Sequence, residues 1–175
     1  MPVKLQGAVA LRKALAVVEP TLAKEVSKEI GSFLKPVVTQ ARGFLPTNEQ
    51  APSGWLKRPN AGGRWASRSY DAQEARKGIT FKSTPSKPNR NGFQALASIF
   101  NKSAAGAIYE TAGRKSGVTG NFTPRLGGQL VGKGQKMTGR AIFRAFEDDR
   151  GKAQDGVVKA IFKAKEKFDS MKDKV

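Results

Sequence analysis

Along the first forty residues, apolar side chains recur at spacings of three and four. Ala8, Leu11, Leu15 and Val18 share one helical face, and Leu22, Val26, Ile30, Phe33 and Val37 carry the stripe onward. Glu19-Pro20 interrupts the run, and because proline is tolerated in a first helical turn, a second helix restarts there. Pro36 lacks a backbone donor and its ring crowds the preceding turn, which predicts a kink or an end. The pattern therefore predicts helix over about 4–42, broken near Pro20 and stopped by Gly43.

Residues 46–76 read as a loop, punctuated by Pro46, Pro52, Gly54, Pro59, Gly62 and Gly63. Trp55 and Trp65 lie inside it. A tryptophan carries a large apolar surface, so each packs either on the core or on a neighbouring subunit. Over 77–111 the period shortens to two. Ile79–Ser83 alternates as a half-buried strand does, Pro85 and Pro88 end it, and Asn89–Gly92 makes a turn. Phe93–Asn101 is a second strand candidate and Ala104–Thr111 a third, with short links that predict an antiparallel meander. Three strands make a stable sheet only with helices over one face.

Residues 112–137 hold seven glycines together with Arg114, Lys115, Arg125, Lys133 and Lys136, and no acid. Such a segment buries too little apolar area to offset its ordering entropy, and it is longer than compact domains keep without a use. The reading is a basic docking arm outside the subunit's own core. Phe122 and a few other apolar residues anchor it, and Arg114, Lys115 and Arg125 reach acidic side chains or phosphate. The plainer alternative is a mobile surface loop. The last segment, 138–173, is helical. Thr138 caps a helix over Gly139–Phe146, and Asp148 and Asp149 stand where a further helix begins. Val157, Ile161, Ala164, Phe168 and Met171 continue the helical spacing, while Gly151 and Gly156 leave one helix or two open. The fold class is α+β in a single domain spanning 1–175, with a long kinked N-terminal helix, a small antiparallel sheet of three to four strands, a C-terminal helix and long extended loops.

Composition narrows the chemistry. The 175 residues are 38% hydrophobic, enough for one core but not a rich one. With no cysteine and no histidine, disulfides, zinc or haem sites built on those residues, cysteine nucleophiles and histidine bases are all excluded. Gly127, Gly132 and Lys133 match the spacing of a phosphate-binding loop. However, Gly134 stands where the magnesium-binding Ser or Thr belongs, and no hydrophobic strand leads in. Glu147, Asp148 and Asp149 read as helix-dipole partners rather than metal ligands, and Glu110, alone among cations, reads as an ion-pair partner. No catalytic residue, cofactor or metal is expected, and the chain is read as no enzyme. No run approaches the roughly 18 apolar residues of a membrane span, and Arg12 and Lys13 inside the first apolar stripe argue against a secretory signal. The expectation is a protein made in a cytoplasm, with no membrane partner.

The net charge is +18, and residues 76–140 account for +11, with twelve basic residues against Glu110 alone. That field favours a polyanion or an acidic protein surface. Phe81, Phe93, Phe100, Tyr109 and Phe122 are interleaved with it, as aromatic residues are in single-strand binders, although alternating aromatics in strands also suit a core. A basic nucleic-acid-binding protein is therefore one functional reading.

The other rests on a resemblance. The order is a long N-terminal helix, a loop, a small antiparallel sheet and a C-terminal helix. Within it stand Ala104-Ala105-Gly106-Ala107-Ile108-Tyr109-Glu110-Thr111-Ala112-Gly113 and, after a glycine-rich loop, Gly139-Arg140-Ala141-Ile142-Phe143-Arg144-Ala145-Phe146. This resembles the tail-completion, or tail-terminator, head–tail joining proteins of long-tailed bacteriophages. Their pattern of a strand ending near Tyr-x-Glu-x-Gly, a loop, and a helix opening on an aromatic and an alanine is similar to Tyr109–Gly113 and Ile142–Ala145. The order of elements covers most of the chain, and the residue pattern covers 104–113 and 139–147. The chain departs from the family in its long segments 46–76 and 112–137. The resemblance implies a structural virion protein of the neck, a ring, usually of six subunits, between the head connector and the tail tube through which genomic DNA passes. On that reading Trp55, Trp65, Arg114, Lys115, Phe122, Arg125, Lys133 and Lys136 are the candidate docking residues.

Overall fold

A computed structural model describes residues 7–56, 69–114, 122–133 and 137–172. The chain is α+β. Helices α1 (Ala8–Val18) and α2 (Pro20–Gly43) come first, followed by α3 (Ala72–Gly78), strands β1 (Ile79–Lys82) and β2 (Ser98–Asn101), and α4 (Ala104–Thr111). A single turn α5 (Phe122–Arg125), strands β3 (Val131–Lys133) and β4 (Met137–Gly139), α6 (Ile142–Asp148) and the long α7 (Lys152–Lys172) complete it. The strands form two antiparallel two-stranded sheets, β1 with β2 and β3 with β4, the latter in register Val131 to Gly139 and Lys133 to Met137. No helix among the described residues is long and apolar enough to cross a membrane.

The chain divides into two compact units. The first holds Met1–Pro36, Phe81–Ser98 and Gly151–Val175, and the second Val37–Thr80 and Ile99–Arg150.

In the first unit α1 packs on α7, and Leu15, Leu22, Val26 and Ile30 are buried with Ala160, Ile161 and Ala164 of α7. The break at Glu19 lies where the sequence places it, with the Glu19 amide still donating to the Leu15 carbonyl at 2.9 Å. Val18, read as part of the apolar stripe, is exposed instead, and Leu34 rather than Phe33 is buried to the stripe's full depth. Phe33 lies across α7 where Gly156 leaves room. A β-carbon on Gly156 would stand 2.3 Å from the Phe33 ring. Pro36 does not end α2, which runs on to Gly43. A helix survives one missing bond where packing on both sides of the proline holds it, and Leu34, Val37 and Val38 are all buried.

The second unit is built on Val37, Val38 and Ala41 of α2, Leu45, Tyr70, Ala75, Ile79, Ala105, Tyr109 and Ala145. Here the structure corrects the expected meander. Ala104–Thr111, read as a third strand, is α4. Ser103 caps it, its hydroxyl accepting from the Gly106 amide at 2.9 Å, and Asn101 supports the cap by accepting from the Ser103 amide at 2.8 Å. An alanine-rich run without a β-branched majority favours helix once capped, and burial at 105, 106, 109 and 110 follows the helical period. The second strand is shorter than expected, beginning at Ser98, because residues 93–97 belong to an arm returning from the Asn89–Gly92 turn.

The stretch 46–76 is not all loop. It contains a 3₁₀ turn over Ser53–Trp55 and most of α3, whose cap Asp71 accepts from the Gln73 and Glu74 amides at 2.8 and 3.0 Å. Nor is 112–137 wholly outside the core. Leu126 is 2% exposed and β3 pairs with β4, so 122–133 belongs to the second unit's own structure. The glycine-lysine match to a phosphate loop leads into strand β3, not into a helix. Thr138 is a β4 residue rather than a helix cap, and the helical end resolves into two helices separated by a turn at 149–151. Asp148 thus closes α6, where Gln40 donates to it at 3.2 Å, instead of opening α7.

Candidate docking surface

Three of the candidate docking residues converge in the second unit. Trp55 follows a tight turn in which its amide donates to the Pro52 carbonyl at 2.8 Å, and its own carbonyl accepts from the Tyr70 amide at 2.6 Å. Tyr70 is anchored in turn by its hydroxyl, which donates to the Pro46 carbonyl at 2.7 Å. Burial pushes the Tyr70 phenol up to about 12, against the pull of nearby Arg76. The Trp55 and Tyr70 rings lie 4.8 Å apart, and Phe122 of α5 meets Trp55 edge-on at 5.2 Å, the arrangement aromatic quadrupoles favour. Beside them opens a cleft of about 560 Å³ lined by Gln50, Ala51, Pro52, Gly54, Trp55, Phe122 and Arg125. Trp55 is 9% exposed and forms its apolar wall, while Phe122, 38% exposed, and Arg125 stand at the solvent side. Chemically this is an open cleft of mixed polarity, with an aromatic wall and, among the described residues, Arg125 as the cation at its edge, suited to a side chain or segment that is apolar at one end and acidic at the other.

The remaining candidates fall elsewhere. Arg114 lies with its guanidinium carbon 5.1 Å from the Phe143 ring centroid, serving α6 rather than the cleft. Lys133 is the last residue of β3. Trp65, Lys115 and Lys136 lie outside the described residues.

The second unit also holds a buried polar junction that no local sequence pattern marks. Glu110, 6% exposed, caps α6 from across the fold. One carboxylate oxygen accepts from the amides of Ala141 and Ile142 at 2.8 and 3.0 Å, the other from Phe143 at 3.0 Å. The expectation that Glu110 serves chiefly as an ion-pair partner is thus replaced by a helix cap, although Arg140 does feel its charge. Three free amides and the positive end of the helix dipole are a fitting seat for a carboxylate, and Ala141 at the cap position supplies no side-chain acceptor of its own. Gly139 makes the approach possible, since a β-carbon there would lie 1.9 Å from the Glu110 carboxylate. Arg140 is buried alongside, donating to the carbonyls of Tyr109 at 3.1 Å and Ala112 at 2.5 Å, with its guanidinium carbon 5.9 Å from the Tyr109 ring centroid. Burial lowers the Arg140 pKa, and Tyr109 and Glu110 oppose that shift. Burial raises the Tyr109 phenol, whose hydroxyl donates to the Phe44 carbonyl at 3.3 Å.

The charge of 76–140 is accordingly not all available to a partner. Arg140 is buried, Arg114 is half-buried against Phe143, and Arg76 is half-buried, donating to the Leu45 carbonyl at 3.1 Å. Of the interleaved aromatics, Phe81 and Phe100 are half-buried and Tyr109 is buried, whereas Phe93 is 52% exposed.

Comparison with protein-family models, curated proteins and solved structures gives no match.

Proposed function

We propose that this chain is a structural, non-enzymatic virion subunit of a tailed bacteriophage. It forms a ring at the head–tail interface that completes or terminates the tail and joins it to the head connector. One observation carries the reading. The two segments on which the family resemblance rests, 104–113 and 139–147, meet in one buried junction of the second unit where Glu110 seats the α6 amides, with helix α4 at 104–111 where the family pattern has a strand. The Trp55 cleft supports this reading as the candidate socket for a neighbouring subunit or a neck partner. The absence of histidine and cysteine from the sequence suits a role in assembly. Its partners are further copies of itself, in a ring of about six on the family pattern, the head connector or adaptor, and the tail tube protein, with genomic DNA passing through. It is made in the host cytoplasm and resides in the virion neck. Light scattering of the purified chain, alone and with connector and tail tube proteins, tests this. A ring is expected in at least one of those mixtures, and a chain that stays monomeric in all of them and is missing from purified particles overturns the proposal.

The second reading, a basic nucleic-acid-binding protein, is favoured by the +11 charge of 76–140. It requires oligonucleotide binding that weakens steeply with salt, because counterion release drives it. No binding at ~50 mM salt, where phosphate contacts are strong, removes it.

A further inference from the structure

Between β1 and β2 the chain forms an arm whose shape is held at both ends. At its base the buried Arg12 guanidinium of α1 donates to the carbonyls of Ser83 and Leu96, the second at 3.3 Å, and to the Ser27 hydroxyl at 2.6 Å. Midway, the Ser86 amide donates to the Ala95 carbonyl at 2.8 Å, and the Ser86 hydroxyl accepts from the Ala95 amide at 2.9 Å. At the tip, the Asn89 side chain accepts from the amides of Asn91 and Phe93, both at 2.9 Å, while the Asn89 amide donates to the Phe93 carbonyl at 2.9 Å. Gly92 closes the turn at φ +72°, a conformation other residues rarely adopt.

This order presents Phe93, 52% exposed, on the same short arm as the exposed cations Lys87 and Arg90. No acidic residue lies between Glu74 and Glu110 in the sequence. An exposed aromatic residue on a basic arm that carries no carboxylate of its own has the chemistry to take an unpaired base by stacking and its phosphates by charge. Bases within a duplex are already stacked, so the single strand is favoured over the double. Because the arm is already hydrogen-bonded into shape, little ordering entropy remains to be lost on binding.

We infer that the Lys87–Phe93 tip is a single-stranded nucleic-acid contact in which one base stacks on Phe93 and two phosphates meet Lys87 and Arg90. The inference rests on the nucleic-acid reading above and assigns it a place.

Fluorescence anisotropy with labelled single-stranded and duplex oligonucleotides, on the full chain from 50 to 300 mM salt, tests it. Phe93→Ala is expected to weaken single-strand binding about fivefold to hundredfold, and Phe93→Trp to retain it. Lys87→Gln/Arg90→Gln is expected to reduce the salt slope of log K by about 1.4, two phosphates at ~0.7 each. Phe93 lies at an exposed tip, so circular dichroism of the variants should match the parent chain. Single-strand binding that Phe93→Ala leaves intact overturns the assignment while the nucleic-acid reading stands, and so does tighter binding to duplex that is indifferent to Phe93. If the parent chain binds no oligonucleotide, both fall. In that case a change in self-association on Phe93→Ala identifies the tip as a protein contact.

Discussion

Replacing Glu110 by glutamine keeps the size and shape of the side chain and removes its charge. The glutamine carbonyl can keep the two bonds now made by Ala141 and Ile142, but its NH₂ then faces the Phe143 amide, donor against donor. Hydrogen bonds to a charged group contribute about 1.5–3 kcal/mol each, and a charge at a partly buried helix end up to about 2. The bonds are partly retained in glutamine, so the expected loss is about 2 kcal/mol. Glu110→Ala leaves all three amides unpartnered and should cost about 3–4 kcal/mol. Gly139→Ala should act as Glu110→Ala does, because its β-carbon would occupy the carboxylate's place. Hydrogen exchange read on peptides covering 142–148 reports the second unit directly. A loss of 2 kcal/mol lowers protection there about 30-fold, at 1.4 kcal/mol per decade. Urea unfolding provides a second reading, with a midpoint falling by about 1 M for a slope near 2 kcal/mol/M. Glu147→Gln, at an exposed position of the same helix, is the control and should change neither. If Glu110→Gln is indistinguishable from that control, the carboxylate does not hold α6 and the reasoning about the junction is wrong.

Gly156→Ala should destabilise the first unit by about 1–3 kcal/mol despite alanine's better helix propensity, because the added methyl overlaps the root of the Phe33 ring. Thermal unfolding checks this, and a stabilised variant would show that α2 and α7 do not pack so closely. The two tyrosines are both buried, with Tyr70 raised to about 12 from an ordinary 10 and Tyr109 raised as well. Their protonated forms favour the folded state, so this contribution is complete below pH 10 and is lost as pH rises from about 10 through about 12. Phenolate absorbance at 295 nm should therefore stay low past pH 10 and rise with unfolding, while Tyr70→Phe flattens the pH dependence of stability in that window; an ordinary titration centred on pH 10 in the folded chain would refute it. Arg125→Glu and Phe122→Ala at the cleft should abolish assembly with partners while leaving helix content unchanged, as read by light scattering and circular dichroism. Unaltered assembly would exclude the cleft as a docking site.

The N-terminal helices were legible because their signals are local: apolar spacing on one face and a proline where the second helix starts. Ala104–Thr111 reads as a strand in the sequence although its Ser103 cap and alanine run point to the helix it forms. Ile108 and Tyr109 suggested a strand, and alanines carry little hydrophobic contrast with which to establish a period. Trp55, Phe122 and Arg125 stood out singly for their residue types, but their meeting depends on packing between distant segments, which no local pattern records. The Glu110 cap is hidden for the same reason, since it acts across some thirty residues with no capping motif next to α6. Arg12 shows the opposite difficulty. A cation within an apolar stripe signals a buried anchor only once the carbonyls of Ser83 and Leu96 are seen beside it.

The central claim is most directly tested in the particle. Electron cryomicroscopy of purified virions, with mass spectrometry to confirm the chain's presence, should find copies of it in a closed ring between head connector and tail tube. Virions with heads and tails joined and this chain absent from them would contradict the account.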